Sequence, residues 1–111
     1  KSIRIMKVVR EDFEVEFIHT LENPDNDNED IIISYKGQRY SATVFTLENI
    51  KSIMERYSNS GECANGLYFY CQDMIIVKNL KRTTILEAIS NIISEGEIDL
   101  ALKKQIKSPS T

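Results

Sequence analysis

Between Asp12 and Ile18 the chain alternates without a break: Phe13, Val15 and Phe17 are separated by Glu14 and Glu16. A period of two sends neighbouring side chains to opposite faces, so this segment can only be a strand with one buried apolar face and one wet acidic face. Residues 3 to 9 (Ile-Arg-Ile-Met-Lys-Val-Val) are rich in β-branched types and read as a preceding strand. The two segments predict a hairpin through Arg10 and Glu11; a single longer strand or a short leading helix are the alternatives. Ile31–Tyr35 and Arg39–Thr46 predict a second hairpin turning at Lys36-Gly37-Gln38, with Tyr40, Ala42 and Val44 on one face and Ser41, Thr43 and Phe45 on the other.

The period then changes. Thr46 is suited to cap a helix N-terminus. After it Leu47, Ile50, Ile53, Met54 and Tyr57 form an apolar stripe at three- and four-residue spacings, stopped by Ser58-Asn-Ser-Gly61. Gly66–Tyr70 and Met74–Lys78 read as a strand pair around Cys71-Gln72-Asp73. Thr84 with Glu87 resembles a capping box opening a helix to about Ser94. Gly96 interrupts, and Ile98, Leu102 and Ile106 predict a short final helix before a frayed tail from Lys107. The order is strand-rich to residue 46, helix 47–58, strand pair 66–78 and helical C-terminus 84–106. That order predicts one α+β domain: an antiparallel sheet of about five to six strands with two to three helices packed on one face.

Length and composition add bounds. A chain of 111 residues with 41% hydrophobic and 28% charged side chains has room for one ordinary core. No run approaches a membrane span, no secretory signal is visible, and Cys63 and Cys71 make neither a disulfide framework nor a metal pair. A reducing, cytoplasmic setting is the simplest expectation, with no membrane partner and a monomer as the default.

The net charge of −3 conceals a strong asymmetry. Residues 11–30 hold nine acidic side chains and no Lys or Arg, whereas the other 91 residues carry 8 acidic against 14 basic, a net of +6. Much of the acid lies in the loop 22–30, where Asn23-Pro-Asp-Asn-Asp-Asn-Glu-Asp30 combines turn-forming residues with like charge. Its spacing of oxygen donors starts like a calcium loop. Counted from Asp25, however, Asp30 stands where the turn glycine belongs and Lys36 where the bidentate glutamate belongs. His19 and Cys63 lack any orienting third group for a nucleophile–base pair, and one histidine without a close cysteine pair makes no metal site. The four glycines form no phosphate-cradling loop. Glu14 and Glu16, about 7 Å apart along a strand, are ordinary wet-face glutamates. The basic clusters are small and the pI is about 5.2, which argues against direct nucleic-acid binding. No cofactor, metal or catalytic residue is expected.

The most distinctive stretch is Gly61-Glu-Cys-Ala-Asn-Gly-Leu-Tyr-Phe-Tyr-Cys-Gln-Asp73-Met-Ile-Ile-Val77. Tyr68 and Tyr70 should share a face with Phe69 opposite. In one reading these rings fill the core and Asp73 caps the turn into the next strand. In the other, the Tyr face beside Glu62 and Asp73 is an exposed partner contact. Together with the helix start Phe45-Thr-Leu-Glu-Asn-Ile50, the stretch resembles small bacterial immunity proteins of toxin–immunity systems, including contact-dependent growth inhibition. The likeness spans roughly residues 31 to 94, without the acidic first third. It implies a non-enzymatic antitoxin that binds a cognate protein toxin domain, often a nuclease, and masks its active site or substrate surface. An acidic face would suit a basic nuclease surface and would speed encounter. The expected contact residues are Glu14, Glu16, Asp25, Asp27, Glu29 and Asp30, with Tyr68, Tyr70 and Asp73 behind them. A different adaptor or regulatory binding domain is the alternative, followed by a small enzyme with an unrecognised site; strand glutamates that only deter edge pairing are the plain reading of the acidic face.

Overall fold

The computed structural model describes residues 5–18 and 28–105. Its strands are β1 (Met6–Val9), β2 (Phe13–Phe17), β3 (Glu29–Tyr35), β4 (Gln38–Phe45) and β5 (Met74–Ile76). They form one sheet in the order β1-β2-β3-β4-β5. The first four run antiparallel, and β5 lies parallel to β4. The helical segments are α1 (Leu47–Ser60), α2 (Glu62–Gly66), α3 (Arg82–Ser94) and α4 (Ile98–Ala101). This is the α+β class expected, with two departures: β5 lies parallel to β4, and α1 lies on the Phe45 side of the sheet instead of sharing one face with α3 and α4.

Both hairpins form. Arg10 N–H donates to Phe13 O at 2.8 Å, closing the β1–β2 turn over Glu11 and Asp12. Tyr35 pairs with Gln38, and both intervening residues have positive φ: Lys36 at 50° and Gly37 at 74°. That is the turn whose twist matches the strands it joins, and glycine enters it without a Cβ penalty. Alternation then builds the core. Phe13, Val15 and Phe17 of β2, Ile31 and Ile33 of β3, and Tyr40, Ala42 and Val44 of β4 are buried on one sheet face. Ile85, Leu86 and Ile89 of α3, Ile98 of α4, and Leu102 close over them, joined by Val77 and Leu80. Each such side chain contributes about 1.5–3 kcal/mol of transfer free energy.

α1 belongs to a second, smaller cluster. Thr46 Oγ1 accepts from Asn49 N–H at 3.1 Å, so the expected N-cap is real. Phe45 alternates with Val44 and therefore leaves β4 on the other sheet face, where its ring meets Phe69 edge-on at 5.4 Å. Phe69 in turn lies 6.4 Å from Tyr57 of α1.

Three expectations of local structure need correction. The expected strand pair 66–78 has only its second member, because residues 67–73 run without ladder pairing and β5 takes the place beside β4. The expected capping box at Thr84 is inside a helix that already starts at Arg82, after Lys81 N–H has been taken up by Asn79 Oδ1 at 3.0 Å. The expected helix to residue 106 ends at Ala101. Leu102 is extended, Lys104 bridges to Tyr40, and Gln105 N–H donates to Arg39 O at 2.7 Å. β4 thus has its outer edge covered twice, by β5 at one end and by residues 104–105 at the other. Among the described residues no helix is long and apolar enough to cross a membrane.

The chain's most strained segment follows α1. Cys63, Ala64 and Asn65 all sit in the left-handed helical region, at φ 49°, 54° and 61°, between Gly61 and Gly66 at 90° and 81°. Leu67 N–H closes this left-handed turn by donating to Cys63 O at 3.1 Å. Each non-glycine residue there costs about 1–2 kcal/mol. The turn is tucked against α1 so closely that a Cβ on Gly66 would collide with the carbonyl oxygen of Met54. Opposite effects are therefore expected at two sites with one residue between them. Ala64→Gly should stabilise by about 1 kcal/mol, and Gly66→Ala should destabilise by at least about 2 kcal/mol, in urea unfolding followed by circular dichroism. Equal effects of the two substitutions would contradict the left-handed turn.

Candidate functional site

The segment leaving the left-handed turn alternates as the sequence suggests, but with the opposite outcome for its tyrosines. Phe69 points in and is held by Phe45 and Tyr57. Leu67, Tyr68 and Tyr70 point out, at 78%, 49% and 76% exposure. Tyr68 and Tyr70 stack on one another, with centroids 6.4 Å apart and rings inclined by 17°. The reading that all three rings fill the core therefore holds for Phe69 alone.

The far end of this ridge is fixed by Asp73. Its φ is 55°, its carbonyl accepts from Thr43 N–H at 3.1 Å, and its Oδ1 accepts from Lys103 N–H at 3.1 Å. Asp73 thus sits at the seam where cover of the β4 edge passes from β5 to the C-terminal segment. One carboxylate oxygen is thus engaged by the backbone of the C-terminal segment, which ties that segment to the end of the ridge. Anchored by the left-handed turn, by Phe69 and by Asp73, the two tyrosines are presented on a backbone that has little freedom left to lose.

Gln72 and Asp73 also border a shallow depression of about 360 Å³ on the open sheet face, floored by Ile32, Ser41 and Thr43 and edged by Asp30. This is the face on which the strand carboxylates emerge. Glu14 and Glu16 of β2 and Asp30 of β3 do share it, as the alternation requires. None of the three stands alone. Glu14 lies 3.3 Å from Lys7 Nζ, Glu16 lies 3.5 Å from Arg39, and Asp30 Oδ1 accepts from Thr43 Oγ1 at 2.9 Å. Arg39 also reaches Gln105 Oε1 at 3.4 Å, and Gln105 Nε2 donates to Ser41 Oγ at 2.6 Å. The face is polar and internally paired rather than a bare acidic sheet. Such exposed pairs are each worth a fraction of a kcal/mol.

Glu29 has to be removed from the expected contact set. It begins β3 rather than lying in a loop, and it is fully buried on the core face. Both of its carboxylate oxygens accept from Arg82 Nη1 at 2.8 Å, while the Arg82 guanidinium lies 4.2 Å from the centroid of the Phe17 ring. Asp25 and Asp27, with the rest of the acidic loop and His19, fall outside the described residues. Among the described residues no group of three His, Cys, Asp or Glu side chains is placed to hold a metal ion. Cys63 is half-buried in the left-handed turn. A separate open groove of about 600 Å³ lies between the β1–β2 turn and α3, where Arg10, Glu11, Asp12 and Glu87 surround Leu86 and Phe13.

Besides the Glu29–Arg82 pair, sequence reasoning missed a second polar contact in the core. The Tyr40 hydroxyl donates to Asp99 Oδ1 at 2.9 Å, linking β4 to α4. No local pattern signals a pair 59 residues apart. Burial first, then the hydrogen bond and the negative charge of Asp99, with a smaller contribution from Tyr35, hold the Tyr40 phenol above its usual value of 10.0.

Comparison with models of known protein families, with curated proteins and with solved structures yields no match.

The Tyr40 pair gives stability a defined pH limit. The unfolded phenol releases its proton near pH 10 while the folded one retains it, so stabilisation is complete below that pH and is lost as pH climbs through the raised folded value. Urea midpoints between about pH 8 and 11.5 should fall on the alkaline side for the parent. They should fall less for Tyr40→Phe, which starts lower by about 1 kcal/mol for the lost hydrogen bond. Parallel profiles would show that Tyr40 does not titrate in this window.

Proposed function

We propose that this chain is a cytoplasmic immunity protein that binds a cognate toxin domain and masks its active site or substrate surface, with the Leu67–Tyr70 ridge at the centre of the contact. The observation that carries the reading is the pair of stacked, exposed tyrosines on a strained and triply anchored backbone. A small protein gains no stability by holding two tyrosines and a leucine in water. Tyrosine with little conformational entropy left to lose is the side chain that binding surfaces favour. The resemblance of residues 31–94 to immunity proteins of toxin–immunity systems points to the same class, and the ridge lies within that span.

In this reading the open sheet face forms the polar rim. Glu14, Glu16 and Asp30, together with the acidic stretch that separates β2 from β3 in sequence, would steer the protein towards a basic nuclease surface. Their existing partners limit what each adds to affinity. Neither a cofactor nor a bond-making step is required, because occlusion alone protects the cell. The wider alternative, a regulatory adaptor, would use the same ridge on a partner that is not toxic.

The test is direct. The product of the neighbouring gene is co-expressed, its affinity for the protein is measured by calorimetry, and its effect on growth is scored. Tyr68→Ala combined with Tyr70→Ala should weaken binding by at least about 100-fold, as expected for two central aromatic anchors. The melting temperature should not change, and protection should be lost. Neutralising Glu14, Glu16 and Asp30 as amides should slow association several-fold and reduce its salt dependence. Full protection by the double tyrosine variant would sink the proposed contact. A partner that binds but is harmless when expressed alone would favour the adaptor.

A further inference from the structure

The other edge of the sheet raises a separate question. Among the described residues β1 has a partner on one side only, β2. The hydrogen bond from Arg10 to Phe13 fixes the pattern of the hairpin. Val8 and Met6 turn their backbone groups towards β2, while Lys7 and Val9 turn theirs outward. The side chains along this edge are unusually apolar for one left in water: Ile5, Met6 and Val9 are 67%, 51% and 61% exposed. Val8 packs against the core from the same face as Met6. No proline interrupts residues 5–9, and the register of β1 on β2 is continuous without a bulge. The usual protections of an edge strand are thus absent, apart from one lysine.

That lysine does not protect as an edge lysine normally does. Lys7 Nζ lies 3.3 Å from Glu14 on the adjacent strand, so its charge is already matched. The pattern Ile-Met-Lys-Val-Val is also symmetric about Lys7, with two apolar residues on each side. We infer that β1 pairs antiparallel with β1 of a second copy about a two-fold axis at Lys7, joining two sheets into one. In this register Ile5 faces the partner's Val9, Val9 faces the partner's Ile5, and Met6 lies across from the partner's Val8. Every exposed apolar side chain of the edge then has an apolar neighbour. Lys7 and Val9 use their outward backbone groups, and the two Lys7 ammonium groups approach each other with a Glu14 carboxylate beside each. Moving the two-fold axis by one residue towards the C-terminus, a two-residue shift of register, would oppose Lys7 to the partner's Val9 and Met6 to the partner's Arg10, losing both matches. A second copy is favoured over an unrelated strand because this pattern complements itself.

The contact is small, below about 1,000 Å² in total, so it belongs to the weak and concentration-dependent class. Sedimentation velocity on the purified chain from about 10 µM to about 1 mM should show a monomer–dimer equilibrium within that range. In the same samples, hydrogen exchange at the Lys7 and Val9 amides should slow with concentration, and the Met6 and Val8 amides should not respond. Val9→Lys should abolish the dimer. Glu14→Gln should weaken it by about three- to fivefold by uncovering the two lysines, an effect that added salt should reduce. A monomer throughout would overturn the proposal. So would a dimer that survives Val9→Lys with unchanged exchange at Lys7 and Val9, since another surface would then be responsible.

Discussion

The parallel placement of β5 beside β4 is the constraint from which the half of the molecule carrying Tyr68 and Tyr70 follows. A strand that is to run parallel to its neighbour must be entered from the same direction, so the chain has to turn back after β4 before β5 can begin beside Thr43. α1 makes the outward journey and residues 61–73 make the return. Reversal at the end of α1 has to be abrupt, because the next segment must lie against the helix it has just left. Gly61 and Gly66 allow it, and Cys63, Ala64 and Asn65 are carried into left-handed backbone between them. The return segment then crosses the Phe45 side of the sheet, where one aromatic of three finds a pocket. The exposed tyrosines are in this sense the residue of a topological requirement: once Phe69 is turned in, alternation turns Tyr68 and Tyr70 out.

A second constraint fixes α3 on the opposite face. Glu29 is buried in a position where its charge would be intolerable alone, and Arg82 answers it from the first turn of the helix with its guanidinium laid over Phe17. A buried ion pair is weak support for net stability, because desolvation offsets most of the attraction. What the pair does fix is placement, since Arg82 can reach Glu29 only with this face of α3 turned to the sheet. The same pair accounts for the helix beginning at Arg82. A cation in the first helical turn is disfavoured by the helix dipole by a few tenths of a kcal/mol, and the cost of leaving Glu29 unpaired is several times larger.

These two constraints divide what the sequence discloses from what it conceals. The hairpins are legible because strict alternation at Phe13–Phe17 and a turn glycine at Gly37 act within a few residues. The Thr46 cap and the stripe from Ile50 to Tyr57 are local in the same way. The left-handed turn is not legible, because Cys63 and Ala64 have no preference for that backbone and are held there by contact with α1. The C-terminal segment misleads for a related reason. Ile98 and Leu102 are both buried, as a helical spacing would demand, yet Leu102 reaches the core from an extended backbone because the exposed edge of β4 needs a partner. Of the acidic residues, Glu14 and Glu16 could be placed on one face by counting, whereas Asp30, expected in the loop, joins that face only because β3 begins earlier, at Glu29. That they already have Lys7, Arg39 and Thr43 as partners is information about register between strands, which no single segment holds.

The sheet order also governs how the two proposed surfaces can coexist. β1 and β5 are opposite edges of five strands, so at about 4.8 Å per strand the edges are separated by roughly 19 Å. Pairing through β1 would consume backbone groups that the ridge does not use, and would leave both ridges of the dimer open. Two copies joined this way present two tyrosine ridges on one continuous sheet, with the open faces carrying Glu14, Glu16 and Asp30 on the same side. A toxin bound to the ridge of one copy would not cover the β1 edge, and a toxin that is itself paired could be held at two points, with the second contact made at an effective concentration set by the rigid sheet rather than by a flexible linker. Glu14 is where the two functions meet: it matches Lys7 at the dimer edge and belongs to the polar rim of the ridge, so a strongly basic toxin that drew Glu14 away from Lys7 would expose the lysines to one another and loosen the pair. Binding and self-association would then oppose each other through one carboxylate, by the reciprocity that any shared interaction imposes.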